Sequence, residues 1–213
     1  MLSGNRHLSV GTESVRYFPG EISPFVGMKE FDKRSFSLLA DLLPPKRVSV
    51  MITAREVPIP RSWKIIHQSV ILQLVAKNPK KPANLPEEIV PLKKENVPQM
   101  LELTKMTNPG PFAERTIEFG NYKGIFHDKQ LVAMAGYRMH ANQYIEISAI
   151  CTHPDHTGKG YGSALTLYQA QQILEQGNIP FLHVRKDNEN AIRLYEKSGF
   201  VVRSDMHLNV FQN

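Results

Sequence analysis

The chain has 213 residues, with 26 Lys and Arg against 20 Asp and Glu, a formal net charge of +6. Hydrophobic residues make up 41 % and charged residues 22 %, which excludes a chain disordered over most of its length. The single cysteine, Cys151, excludes an intrachain disulfide and a cysteine-based zinc site, and fits a reducing compartment. No apolar run approaches the roughly 18 residues of a membrane span. The best, residues 70–76, is broken by Gln73, and the opening MLSGNRHLSV lacks the apolar core of a signal peptide. A soluble, cytoplasmic protein is expected. The mild positive surplus suits anionic ligands such as phosphates and is no nucleic-acid footprint.

The stretch 77–88, KNPKKPANLPEE, reads as a linker and divides the chain into units 1–85 and 86–213. In the first unit, Phe31, Ser35, Leu38, Leu39, Leu42 and Leu43 follow helical spacing until Pro44-Pro45 stops them. Strands are expected at 47–53 and 63–76. No polar cluster here marks a site. The unit reads as a packing or homodimerisation element, with a share in binding the acceptor as the alternative.

The second unit predicts a strand at 88–92, a helix at 95–106, a break at Asn108-Pro109-Gly110-Pro111 and a short helix at 112–119. Strands follow at 122–127, 130–139 and 144–152, the first two joined by a tight turn at Asp128-Lys129. A long helix is expected over 160–176, with Leu167, Ala170, Ile173 and Leu174 on one face and Gly177 as its stop. A strand at 181–185 and a helix capped by Asp187 or Asn188 come next, before a last strand from Phe200. The fold class is therefore α/β (α+β), a mixed central sheet flanked by helices and preceded by a small α/β N-terminal part.

Residues 150–163, ICTHPDHTGKGYGS, carry the chemistry. A strand ends at Thr152. Gly158, Gly160 and Gly162 then lead into the long helix, whose first turn presents unpaired N–H groups and partial positive charge. Glycines permit a left-handed backbone and close approach of an anion, so a phosphate or pyrophosphate is the natural guest, with Lys159 adding charge. A nucleoside-triphosphate P-loop is excluded: Gly160 follows Lys159, and Pro154 stands where the first glycine belongs. A dinucleotide fingerprint is nearly met, yet too little chain follows to build the fold behind it. A ligand-free glycine turn is the remaining alternative.

The segment from His153 to Gly162 resembles motif A of the GNAT superfamily of acyl-CoA-dependent N-acetyltransferases, whose helix N-terminus holds the pyrophosphate of coenzyme A. One strand further on, NENAIRLYEKSGF at 188–200 is similar to the family's N-x-x-A-x-x-L-Y-E-K-x-G-F block. The resemblance covers roughly 86–213. One departure is Thr157, where the family usually has Gln or Arg. The layout, with a partial N-terminal half, also resembles glycine N-acyltransferase-like proteins.

The resemblance implies acetyl transfer from acetyl-CoA to a small-molecule or peptide amine. It makes Thr157, Gly158, Lys159, Gly160, Tyr161, Gly162 and Ser163 the expected cofactor turn. The backbone of Ile150 and Thr152 would pair with the pantetheine arm, Asn188 would contact the cofactor, and Tyr195 would be the acid for the leaving thiolate. An alkyl ammonium, with a pKa of about 10.4, is almost wholly protonated at neutral pH, so a base is useful. Glu146 is the candidate, because strand alternation would set Glu146, Ser148, Ile150 and Thr152 on one face. Alternation would set Cys151 on the other face, as an apolar strand residue. His153, Asp155 and His156 match no metal-ligand spacing, and no metal is expected. The alternatives to an acetyltransferase are a non-catalytic acyl-CoA-binding module and a nicotinamide-dependent oxidoreductase.

Overall fold

A computed structural model describes residues 4–77, 79–80 and 88–213. In chain order the elements are β1 (Val10–Gly11), β2 (Val15–Tyr17), β3 (Val26–Met28), α1 (Lys33–Leu42), β4 (Val48–Thr53), β5 (Lys64–Ala76), β6 (Val90–Pro91), α2 (Val97–Thr107), β7 (Lys123–His127), β8 (Gln130–Ala141), β9 (Tyr144–Thr152), α3 (Tyr161–Glu175), β10 (Ile179–Arg185), α4 (Glu189–Lys197) and β11 (Phe200–Gln212). Strands β1–β3 form a small sheet. The other eight form one mixed sheet in the order β4-β11-β5-β10-β9-β8-β7-β6.

The expected helices and strands of the second unit are present with small shifts. The helix expected at 112–119 is only a 3-10 turn, Thr116–Phe119, because the preceding Pro-Gly-Pro stretch leaves too few residues for an α-helical turn. Asp128 and Lys129 both take positive φ, +48° and +68°, as a type I′ hairpin turn requires. The strands β1–β3 had no sequence signal: each spans two or three residues, too short for a periodic pattern.

The division into 1–85 and 86–213 does not follow a break in the sheet. Strand β5 runs between β10 and β11, pairing antiparallel with both, and β4 pairs with β11. Most of the sequence-predicted linker lies outside the described residues.

Alternation along β5 sends Leu72, Leu74 and Ala76 to the cluster under α3, where they meet Ile145, Ile147, Leu165, Ile173, Leu182 and Val184. On the other side of the sheet, α2 packs Met100 and Leu103 against Tyr122 and Met134. The N-terminal segment adds Phe18, Ile22 and Phe25, which join Val50 and Phe119 in a further cluster, with Phe18 edge-on to Phe119 at 5.0 Å. Leu74 has no exposed surface and sits on a central strand. Leu74→Ala is expected to destabilise the fold by about 2–5 kcal/mol, measured by urea denaturation.

Candidate active site

Strands β9 and β10 form the parallel pair of the sheet, and they pair over only three positions. The ladder ends at Phe181 opposite Glu146. Beyond it β10 is hydrogen-bonded to β5 and β9 to β8, so the edges that face each other across β9 and β10 have no strand partner. A fork opens at this point in the sheet.

A bulge shapes the β9 arm. Cys151 lies opposite Met134 and Ser148 opposite Gly136, so three steps on β9 match two on β8. Ala149 absorbs the extra residue with φ +53°, a left-handed conformation that a non-glycine residue adopts only when its surroundings enforce it. This corrects the simple alternation. Ile150 returns to the α3 side, beside the cluster of Ile145 and Ile147, while Ala149 and Cys151 join the cluster under α2. Glu146 therefore does not share a face with Ile150, and Cys151 lies on the α2 side as Glu146 does. Cys151 is buried, and burial pushes its thiol up to about 12.

Strand β9 leads into the glycine turn. Gly158 and Gly160 have φ +79° and +84°, and Gly160 immediately precedes α3. A Cβ at either position would meet nothing within 4 Å, so backbone conformation and an uncovered surface, not crowding, account for glycine there. Among the described residues, the N–H groups of Gly158, Lys159, Gly160, Gly162 and Ser163 donate to no hydrogen-bond acceptor; the first helical bond is Ala164 N–H to the Gly160 carbonyl. These donors converge where the helix dipole is positive.

The other cofactor-turn candidates have local duties. Thr157 turns its hydroxyl back onto the Pro154 carbonyl at 3.0 Å, and Ser163 Oγ lies 3.4 Å from Ser198 Oγ. Lys159 Nζ donates to His156 Nδ1 at 3.2 Å. The Tyr161 side chain is buried in the core and adds no group to the surface of the turn. Asn188 Oδ1 accepts from Ala191 N–H at 3.2 Å and so caps α4. Ile150 and Thr152 lie on the open arm of the fork, both half-buried.

Glu146 is wholly buried at the vertex. Arg138 Nε and Nη2 donate to its two oxygens at 2.9 and 2.6 Å, Met139 N–H donates at 3.3 Å and His183 Nδ1 at 2.6 Å. Burial alone would raise the carboxyl pKa, but the Arg138 guanidinium and His183 outweigh it and hold Glu146 well below the usual carboxylate range. The network continues. Arg203 Nη1 donates to Gln73 Oε1 at 2.5 Å, which leaves the Gln73 amide nitrogen to donate to His183 Nε2 at 3.1 Å. Arg203, Gln73, His183, Glu146 and Arg138 thus form one hydrogen-bonded chain across β11, β5, β10, β9 and β8, five neighbouring strands. Phe25 covers its far end, its ring centroid 4.9 Å from the Arg138 guanidinium.

Sequence reasoning missed Arg138, His183, Gln73 and Phe25. A parallel β9–β10 pair would have placed His183 beside Glu146, but nothing local to residue 138 or 25 signals the pairing. Tyr195 on α4 is buried in the cluster under α3, and burial pushes its hydroxyl up to about 12. That hydroxyl has no hydrogen-bond partner among the described residues.

Glu146→Gln removes the charge that compensates buried Arg138, so a loss of about 3–5 kcal/mol at neutral pH is expected. Because the folded-state pKa of Glu146 is depressed, its contribution is present above the ordinary carboxylate value and is lost as pH falls toward the folded value. Denaturant midpoints at pH 7, 5 and 3 should therefore converge between wild type and variant at the acid end. A difference that stays constant with pH would contradict the ion pair.

Comparison with known proteins agrees with this geometry. The profile of the FR47-like protein family matches residues 122–208. A Novosphingobium aromaticivorans protein assigned to the GNAT family of acetyltransferases is 31 % identical, with 97 % of this chain and 92 % of that chain covered and a TM-score of 0.88. A Drosophila protein shares the fold at 14 % identity, a TM-score of 0.69 and coverage of 92 % of this chain and 73 % of that chain. A GCN5-related N-acetyltransferase from Kribbella flavida does so at 16 % identity, a TM-score of 0.58 and coverage of 83 % and 74 %. Among curated proteins, none matches the sequence. With the forked sheet, the bulged strand and the open glycine turn in place, the chain belongs to the GNAT family of acetyltransferases.

Proposed function

We propose that this protein transfers an acetyl group from acetyl-CoA to a primary amine by direct attack within a ternary complex. The observation that carries the reading is that the amides of Gly158, Lys159, Gly160, Gly162 and Ser163 donate to no acceptor among the described residues, at the end of the strand that forms one arm of the fork. Those amides would hold the pyrophosphate. The unpaired edge of β9 around Ile150 and Thr152 would take the pantetheine arm as an added strand, with one N–H on the thioester oxygen. When bound, acetyl-CoA supplies the activated acyl group.

In this reading Glu146 serves the acceptor side in a changed role. Its lone pairs are taken by Arg138, Met139 and His183, so it is not a free base. It fixes the His183 Nδ1–H and leaves Nε2 with a lone pair, covered by the Gln73 amide. Opening such a neutral hydrogen bond costs about 1 kcal/mol. Nε2 then takes the amine proton, directly or through water, and Glu146 stabilises the imidazolium. The amine nitrogen bonds to the thioester carbon, the C–S bond breaks, and Tyr195, which keeps its proton at neutral pH, gives it to the departing sulfur. The acceptor is a small-molecule or peptide amine. A cytoplasmic setting fits; no helix among the described residues is long and apolar enough to cross a membrane.

The saturated Glu146 carboxylate favours a second reading in one respect: an acyl-CoA-binding module needs no free base. An amine panel with acetyl-CoA, read by thiol release, separates the two. A transferase releases thiol only with the right amine, whereas a binding module takes up the cofactor and releases none with any amine. In a transferase, Tyr195→Phe should lower kcat by about 10- to 100-fold with CoA affinity unchanged. His183→Gln should lower kcat by a similar factor, again with CoA affinity unchanged. Unaltered turnover in both variants would contradict the assigned roles.

A further inference from the structure

Three imidazoles gather beside the glycine turn, and the proposed reaction uses none of them. His127 at the end of β7 lies 5.1 Å from His156, ring centroid to centroid, and His153 lies 5.8 Å from His156. Hydrogen bonds settle which nitrogens of His156 and His153 carry protons. Lys159 Nζ can only donate, so His156 Nδ1 accepts and its proton is on Nε2. Asp155 N–H donates to His153 Nδ1 at 3.3 Å, which puts that proton on Nε2 as well. Neither Nε2–H has an acceptor among the described residues. Two imidazole donors and an ammonium are therefore displayed together, next to the amides already assigned to the pyrophosphate.

The charges facing His156 come from its own loop and from β7. Lys159, His127 and His153 oppose its protonation and Asp155 favours it, while Asp128 Oδ2 lies 3.6 Å from His127 Nε2. Burial and the positive neighbours together hold the His156 pKa below the ordinary imidazole value. A metal ion is a poor guest, because an ammonium already occupies Nδ1 of the central ring. A phosphomonoester dianion fits: it accepts from all three donors and reverses the local charge balance.

We propose that His153, His156 and Lys159 form a separate subsite for the ribose phosphomonoester of CoA, and that filling it draws a proton onto His156. This rests on the CoA reading above and deepens it. It makes the carrier's third phosphate a recognition element and makes binding proton-linked.

The test is calorimetric titration of the full chain at pH 7.5 with CoA and with dephospho-CoA, each in two buffers of different ionisation heat. CoA should bind about tenfold more tightly than dephospho-CoA, the size expected of charge-assisted hydrogen bonds. CoA binding should take up a fraction of a proton and dephospho-CoA binding none. His156→Gln, on an exposed loop, should abolish the uptake and narrow the affinity ratio, with dephospho-CoA affinity unchanged. Equal affinities for the two carriers, or uptake that persists in His156→Gln, would overturn the subsite and leave the cofactor reading intact. Binding of neither carrier would overturn the cofactor reading and the subsite with it.

Discussion

One interruption organises this molecule: two parallel neighbours, β9 and β10, stop pairing after Phe181 and Glu146. An unpaired backbone edge inside a sheet is costly unless something else takes its hydrogen bonds. The fold compensates on one face and leaves the edge open. The Glu146 carboxylate reaches across the vertex to His183 and fixes both strands where the ladder ends. The bulge at Ala149 then turns the free arm and delivers the chain into a loop where the amides of Gly158, Lys159, Gly160, Gly162 and Ser163 donate to no acceptor among the described residues. Exposed strand edge and exposed helix start thus follow from the same break.

The N-terminal residues complete this arrangement. Strand β5 lies directly beside β10 and contributes Gln73, the partner of His183. Phe25 lies over Arg138, and Thr116 Oγ1 donates to the Ile22 carbonyl at 2.6 Å, which ties the segment 18–25 to the wall opposite α3. Of the two roles open to this region from sequence, packing is visible directly, in the clusters around Phe18 and Phe36. Gln73 and Phe25 also set it against His183 and Arg138, on the side that the proposed reaction gives to the acceptor.

What sequence could reveal tracks the range of the interactions. Elements with a long local pattern were legible: β9 is found at its expected limits, and α3 and α4 lie within a residue or two of theirs. The glycine turn was legible because Gly158 and Gly160 announce a left-handed backbone within a few residues. The face of Ile150 was misread because a bulge at an alanine carries no local mark. The environment of Glu146 was hidden for another reason. Its partners at 138 and 183 come from two neighbouring strands, and a carboxylate that looks like a base on an isolated strand is a buried, saturated ion in the sheet. Alternation cannot supply that distinction, since it depends on which strands become neighbours.

The central claim is that the open arm of β9 and the amides of the glycine turn receive one pyrophosphate-bearing thioester carrier. Amide hydrogen exchange of the full chain, with and without desulfo-CoA, addresses it at the backbone itself. Slower exchange confined to residues 147–152 and 158–163 is the predicted result. Saturation with the analogue that left those two stretches exchanging at their unliganded rates would contradict the account.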